Sequence, residues 1–166
     1  MSNSESSKEF TTGVEYPSLF DRYAVSLCES ARRHICIQSP KLDHAAFDNS
    51  ELVAGLSALA RSSRQAQVRI LISDSRLLIG RGHHLLQLAR RLPSTVKIRK
   101  LAEHPQWNHE TVVIRDRDGV LYKPGGSEHD AFFEPDSRAS TARHLALFDE
   151  LWRHSVEDSE LRSLHL

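Results

Sequence analysis

The residues best suited to chemistry lie between Asn108 and His129, in the stretch NHETVVIRDRDGVLYKPGGSEH. His109 is followed seven positions later by Asp116, and Gly126-Ser127 comes after a further reversal of the chain. An imidazole, an orienting carboxylate and a small hydroxyl donor together make a nucleophile or general-base arrangement. For the three to meet, the chain must turn between them. Asp118-Gly119 is the dipeptide that tolerates positive φ in a two-residue hairpin. His109 and Asp116 then stand at the two ends of one strand, and Gly126-Ser127 folds back toward His109 along the antiparallel return strand. A plain hairpin that happens to carry a His accounts for the same letters, because ten His and many Asp supply such spacings by coincidence.

A second candidate is LISDSRLLIGRGHH, read as strand, loop, glycines and helix. A Gly-x-Gly before a helix N-terminus can present backbone N–H groups to an anion, with Arg81 and His83 adding positive charge. The competing reading is a tight turn into a helix. The stretch has neither the third Gly of a dinucleotide fingerprint nor the Gly-Lys-Ser/Thr of a P-loop. No HxxxH, HxH or CxxC occurs, and the adjacent His83-His84 point to different sides of a helix, so neither a metal nor a cofactor is expected. No Gly-x-Ser-x-Gly elbow suggests a serine hydrolase.

The elements that must position these residues fit a single core. The 166 residues suit one domain. The 22 Lys and Arg balance the 22 Asp and Glu, which removes the simple electrostatic case for nucleic acid and leaves a local basic patch open. No apolar run approaches the roughly 20 residues of a membrane span, and MSNSESSKEF lacks the pattern of a signal peptide. Cys28 and Cys36 read as two buried thiols of a reducing, cytoplasmic environment.

Residues 1–13 are polar and are expected to form a disordered tail, with an α/β domain over 14–166. A helix is expected from Pro17 to about Ala31 with Ser18 as its cap, a second from Ser50 to about Ser62 capped by Ser50, and a third from His83 to Leu92. Strands are expected over 34–38, 67–73, 96–100, 110–116 and 119–123; 67–73 is apolar enough to be central, and 96–100 alternates as an edge strand does. The stretch KPGGSEHDAFFEPDSRAS reads as irregular. The last helix, Thr141–Ser155, is expected to bury Leu145, Phe148, Leu151 and Trp152. The order implies a mixed β-sheet sandwiched by helices.

HETVVIRD and GGSEH also resemble the phospholipase D signature, HxKxxxxD followed by a GSxN-like element. His109 and Asp116 fall in register, with Thr111 at the Lys position. Gly126 and Ser127 match the second element, with His129 in place of Asn. LFDELWRHS is similar to the closing helix of such domains. The span from about residue 14 to 166 resembles a proteobacterial family of phospholipase D-like domains found alone or joined to an acyltransferase domain.

The resemblance implies a phospholipase D-like fold in which His attacks phosphorus while Lys and Ser/Asn donors hold the phosphoryl oxygens. One motif per chain implies a homodimer that builds one site. With the Lys absent and the Asn replaced, the resemblance implies a non-catalytic domain binding a phosphate-bearing ligand or a partner protein, through Thr111, Lys123, Gly126 and His129, with Arg81 and His83 of the Gly-x-Gly stretch as further ligand-binding candidates. The alternatives are a divergent homodimeric phosphodiesterase, or phosphatidyl- or nucleotidyl-transferase, with His109, Asp116 and Ser127 catalytic, and a structural module for an acyltransferase partner.

Overall fold

The computed structural model describes residues 9–162. In chain order the elements are β1 (Thr11–Val14), α1 (Phe20–Ser30), β2 (His34–Gln38), α2 (His44–Phe47), α3 (Ser50–Ser62), β3 (Gln67–Ile72), α4 (Arg76–Arg81), α5 (His84–Arg91), β4 (Val96–Lys100), β5 (Thr111–Arg115), β6 (Gly119–Lys123), β7 (Ala131–Glu134), α6 (Arg138–His154) and α7 (Ser159–Arg162).

The seven strands form one mixed sheet in the order β1-β7-β6-β5-β2-β3-β4. β2, β3 and β4 run parallel, β5 is antiparallel to β2, and β5, β6 and β7 form a meander that β1 closes antiparallel. All five expected strands are present, with β3 flanked on both sides and β4 at an edge.

Side-chain alternation sends Ile35, Ile37, Val68, Ile70, Val113 and Leu121 to the face covered by α1, α3 and α5. Cys36, Leu71, Val112, Ile114 and Val120 face Phe148 and Leu151 of α6. Helices therefore cover both sheet faces, as the order of elements implied. Both cysteines are buried and unpaired, and burial pushes the Cys36 thiol up to about 11.

Several boundaries differ from the sequence reading. Residues 1–8 of the expected tail lie outside the described residues, whereas Thr11–Val14 is a strand, paired with β7. β7 hides in the stretch read as irregular because it spans four residues, with only Ala131 and Phe133 buried. Asn49, not Ser50, caps α3, its side chain accepting from the N–H groups of Glu51 and Leu52. Ser18 does not cap α1; Asp21 accepts from the Leu19 N–H instead. The segment read as a Gly-rich loop is the helix α4, with Gly80 inside it. Gly82 ends that helix at φ 75°, its N–H donating to the Leu78 carbonyl.

α6 begins at Arg138, three residues earlier than expected, because Ser137 accepts from the Ser140 N–H. Phe148 and Leu151 are buried, but Trp152 is half-buried. Its ring stacks on Phe148 at 5.7 Å and carries the guanidinium groups of Arg99 and Arg69 at 4.7 and 5.7 Å. A ring that doubles as a seat for cations stays at the protein's rim.

Candidate functional site

The pairing of Gln38 with Val112 puts the start of β5 at the C-terminal end of β2. The pairing of Thr111 with Lys123 brings the end of β6 to the same edge. Ligand sites of open α/β sheets characteristically lie outside the C-terminal ends of the parallel strands. Here that edge carries His109, Thr111, Lys123 and the loop Pro124–Asp130.

His109 is exposed and takes a left-handed backbone, φ 64°, two residues before the start of β5. Gly125 packs on the same backbone: a Cβ there would stand 1.9 Å from the Asn108 carbonyl oxygen and 3.3 Å from the His109 carbonyl carbon. Only a glycine permits that approach, and it brings the Gly126-Ser127 turn to His109. Gly126 itself has φ 78°. The Ser127 hydroxyl donates to Asp130 at 2.9 Å and lies 3.4 Å from the His129 N–H. The loop is tied back by the Tyr16 N–H, which donates to the Glu128 carbonyl at 2.9 Å. His129 is exposed, 4.0 Å from the Glu15 carboxylate.

Thr111 is buried on the α1 side of the sheet at 3% exposure. Lys123, its direct cross-strand partner, is half-buried on the same side. The Lys123 ammonium lies 4.9 Å from the Tyr16 ring centre and 3.5 Å from the Pro124 carbonyl. Tyr16 donates to Asp43 at 2.5 Å, and burial together with that carboxylate raises its hydroxyl pKa far above the ordinary value.

Asp116 is placed elsewhere. It follows β5 at φ 49°, separated from His109 by roughly 17 Å of strand. Its carboxylate accepts from the backbone N–H groups of Arg33, His34 and Arg32 at 2.8, 3.0 and 3.0 Å. Burial alone would raise its pKa, but those donors and the Arg32 charge outweigh it and hold the carboxyl below the usual range. Its geometry is that of a clasp on the entry to β2, and it does not touch His109.

At the Gly-x-Gly stretch the helix N-terminus is met by the protein's own groups. Asp48 accepts from the His84 N–H at 2.9 Å and lies 2.5 Å from the His84 ring at the N-terminus of α5. His83 is buried, its Nδ1 accepting from the Leu85 N–H and its Nε2 against the Leu42 carbonyl, both at 3.1 Å. Burial pushes His83 down to about 4, so its ring is neutral. Arg81 is an exposed cation ending α4. Lys123 leans on Tyr16, Tyr16 donates to Asp43, and the next residue, His44, reaches the Gly82 carbonyl at 2.7 Å, which ties the Lys123 edge to the turn after α4.

Sequence reasoning missed Gly125 and Tyr16. Gly125 had a signal, the doubled glycine before Ser127; Tyr16 had none, since its partners lie far along the chain. His109 belongs to no cluster of metal-ligating side chains among the described residues.

A family model described as a domain of unknown function, DUF7931, matches residues 17–164. None of the curated proteins matches the sequence significantly. The structure is similar to Nuc from Salmonella typhimurium, a phospholipase D family member, with TM-score 0.64 at 18% identity, covering 90% of this chain and 99% of that one. NucT from Helicobacter pylori gives 0.56 at 15% identity, covering 90% and 100%. TrmBL2, an archaeal chromatin protein whose structure shows a novel mode of DNA binding, gives 0.64 at 12% identity, covering 90% of this chain and 54% of that one. The chain thus spans about half of TrmBL2. At these identities the likeness shows the fold: a single phospholipase D-like α/β domain. No described helix is long and apolar enough to cross a membrane.

Proposed function

Since the chain belongs to the DUF7931 family and has the phospholipase D-like fold, we propose that it is a non-catalytic phospholipase D-like domain that binds a phosphate-bearing ligand. The observation that carries this reading is the pair Thr111–Lys123. The position matching the motif Lys holds a buried neutral hydroxyl. The neighbouring cation comes from the next strand and leans on Tyr16 and Pro124. Such a cation can attract a phosphate, but it is not fixed on the oxygens where charge develops in phosphoryl transfer. Losing one preorganised donor costs about 10²–10³ in rate, and here the Lys and Asn positions are both altered. The Ser127 hydroxyl, engaged with Asp130, is a third donor not aimed at a ligand.

The ligand class is a phosphate ester or a nucleic-acid backbone, which the DNA-binding neighbour TrmBL2 supports by analogy of fold. The alternative is a divergent homodimeric phosphodiesterase or transferase using His109 as nucleophile. The exposed position of His109 at the sheet edge favours it, since a second copy would have access there.

The experiment is turnover of bis-p-nitrophenyl phosphate by the purified chain beside His109→Ala, with binding of inorganic phosphate and of a short oligonucleotide measured in parallel. The expected result is no turnover above background, none gained by Thr111→Lys, and weak binding that falls with Lys123→Ala. Turnover that vanishes in His109→Ala overturns the reading in favour of the enzyme. Absence of both turnover and binding overturns it in favour of a protein-interaction module, for which the family resemblance names an acyltransferase as partner.

A further inference from the structure

A second convergence of chemistry-bearing side chains lies on the α6 face, away from the Thr111–Lys123 pair. Glu150 and His154 are one helical turn apart and share a face of α6. The loop between β4 and β5 brings His104 against them. His154 Nε2 stands 3.1 Å from Glu150 Oε1, and the rings of His104 and His154 lie 5.4 Å apart. One donor atom from each of the three residues falls within 4.8 Å of the other two.

We propose that His104, Glu150 and His154 form a binding site for a divalent transition metal of the Zn²⁺ class, with water completing the coordination. Two imidazoles and one carboxylate are a donor set such ions take when a position stays open. Tetrahedral ligands at about 2.0–2.1 Å from the ion stand roughly 3.4 Å apart, so donors at the 4.8 Å limit must close by about 1.4 Å. His154 is exposed, so its ring can reorient by giving up the Glu150 contact, while His104 and Glu150 are half-buried and define the seat.

The frame around the three is held independently of any ion. Lys100 and Val156 exchange two backbone hydrogen bonds, at 2.8 and 3.0 Å, four residues before His104 and two after His154. Trp107 anchors the far side of the loop, buried against the α6 cluster with its Nε1 donating to the Glu110 carbonyl at 3.0 Å. The loop and the end of α6 are thus fastened together on both sides of the donors.

Two contacts oppose binding. Arg153 pairs with Glu150 Oε2, which leaves Oε1 for the ion and makes the carboxylate monodentate. His104 Nδ1 accepts from the Gln106 N–H at 3.1 Å, which places the ring proton on Nε2. Coordination through Nε2 moves that proton to Nδ1, and coordination through Nδ1 replaces the contact, so either mode gives up one hydrogen bond. In the metal-free protein the same groups form a His–Glu hydrogen bond beside a second imidazole. Bound metal would pin to α6 the loop that leads into His109.

The test uses the full chain, freed of any affinity tag and stripped with a chelator, titrated with Co²⁺ by visible absorption and with Zn²⁺ by calorimetry. The expected result is saturable binding of one equivalent and a rise in melting temperature on adding Zn²⁺ that a chelator reverses. His104→Ala, His154→Ala and Glu150→Gln should each weaken Co²⁺ binding by about tenfold or more, while His84→Ala leaves it unchanged. Circular dichroism of each variant checks that it is folded. Absence of saturable binding, or binding retained by a folded His104→Ala/His154→Ala variant, overturns the proposal. Neither outcome bears on phosphate binding at Lys123, which is measured separately.

Discussion

Gly125 and Asn108 are in backbone contact, with no room for a side chain between them: a Cβ on Gly125 would meet the Asn108 carbonyl oxygen at 1.9 Å. This approach sets the loop carrying Ser127 against the backbone at Asn108 and His109.

Gly125→Ala should therefore separate the two segments. Neither partner is a flexible side chain, so the clash can be relieved only by moving backbone, at about 1–3 kcal/mol. Denaturant melts of Gly125→Ala beside Gly126→Ala check this. Gly126 has open space around its Cβ position and bears only the cost of φ 78°, about 1 kcal/mol. Phosphate binding should fall further in the Gly125 variant. Equal behaviour of the two variants would show that the contact does not hold the loop.

Asp116→Ala should cost stability, not ligand binding. Removing the carboxylate takes the acceptor from three backbone N–H groups of residues 32–34; those of Arg32 and Arg33 are open to water, so the cost should be about 1–2 kcal/mol. The folded-state pKa of Asp116 is depressed, so its contribution is present above the unfolded value of about 3.9 and is lost as pH falls through the folded value. Below about pH 4 the wild type should lose stability more steeply than the variant. Urea melts across that range measure the difference, and parallel acid limbs would refute the assignment.

His83 acts in a different pH window. Its folded value is depressed to about 4 by burial, against about 6.5 in the unfolded chain, so between these values the unfolded state binds more protons. Stability should fall by on the order of 2 kcal/mol as pH drops from about 6.5 to 4, the nearby Asp48 carboxylate offsetting part of the effect. His83→Asn keeps an acceptor for the Leu85 N–H and does not titrate. Melts of that variant should show a flatter slope across the window.

Phe148 and Trp152 stack on one another but differ in burial. Phe148→Ala opens a cavity in a fully buried position and should cost about 3–5 kcal/mol. Trp152→Ala removes a half-buried ring and the seat of two guanidinium groups, and should cost less, about 1–3 kcal/mol. Chemical denaturation of both variants gives the order, and a larger loss for Trp152 would contradict it.

Five of the seven strands were legible because each is rich in apolar, β-branched residues, continuous or alternating, and bounded by turn signals. The Asp118-Gly119 hairpin was legible from two letters. The helices over 50–62 and 84–91 followed from apolar spacing. β1 and β7 were not legible: each is four residues long, and pairing, β7 with the preceding β6 and β1 with the far-removed β7, makes them strands more than their own composition does. α4 was hidden by Gly80 inside it and Gly82 at its end, which local propensity reads as a loop and tertiary burial of Leu78 holds as a helix.

At the site, local pattern alone shows which residues share a strand, that Thr111 stands at the motif Lys position, and that Lys123 comes from the return strand. Packing settles the rest: Gly125 presses on Asn108, Asp116 clasps the entry to β2, Asp48 meets the N-terminus of α5, and His104 meets Glu150 and His154. The physical reason is the same in each case. Alternation and turn chemistry act over a few residues, whereas these contacts join segments whose approach is set by how the sheet, loops and helices pack.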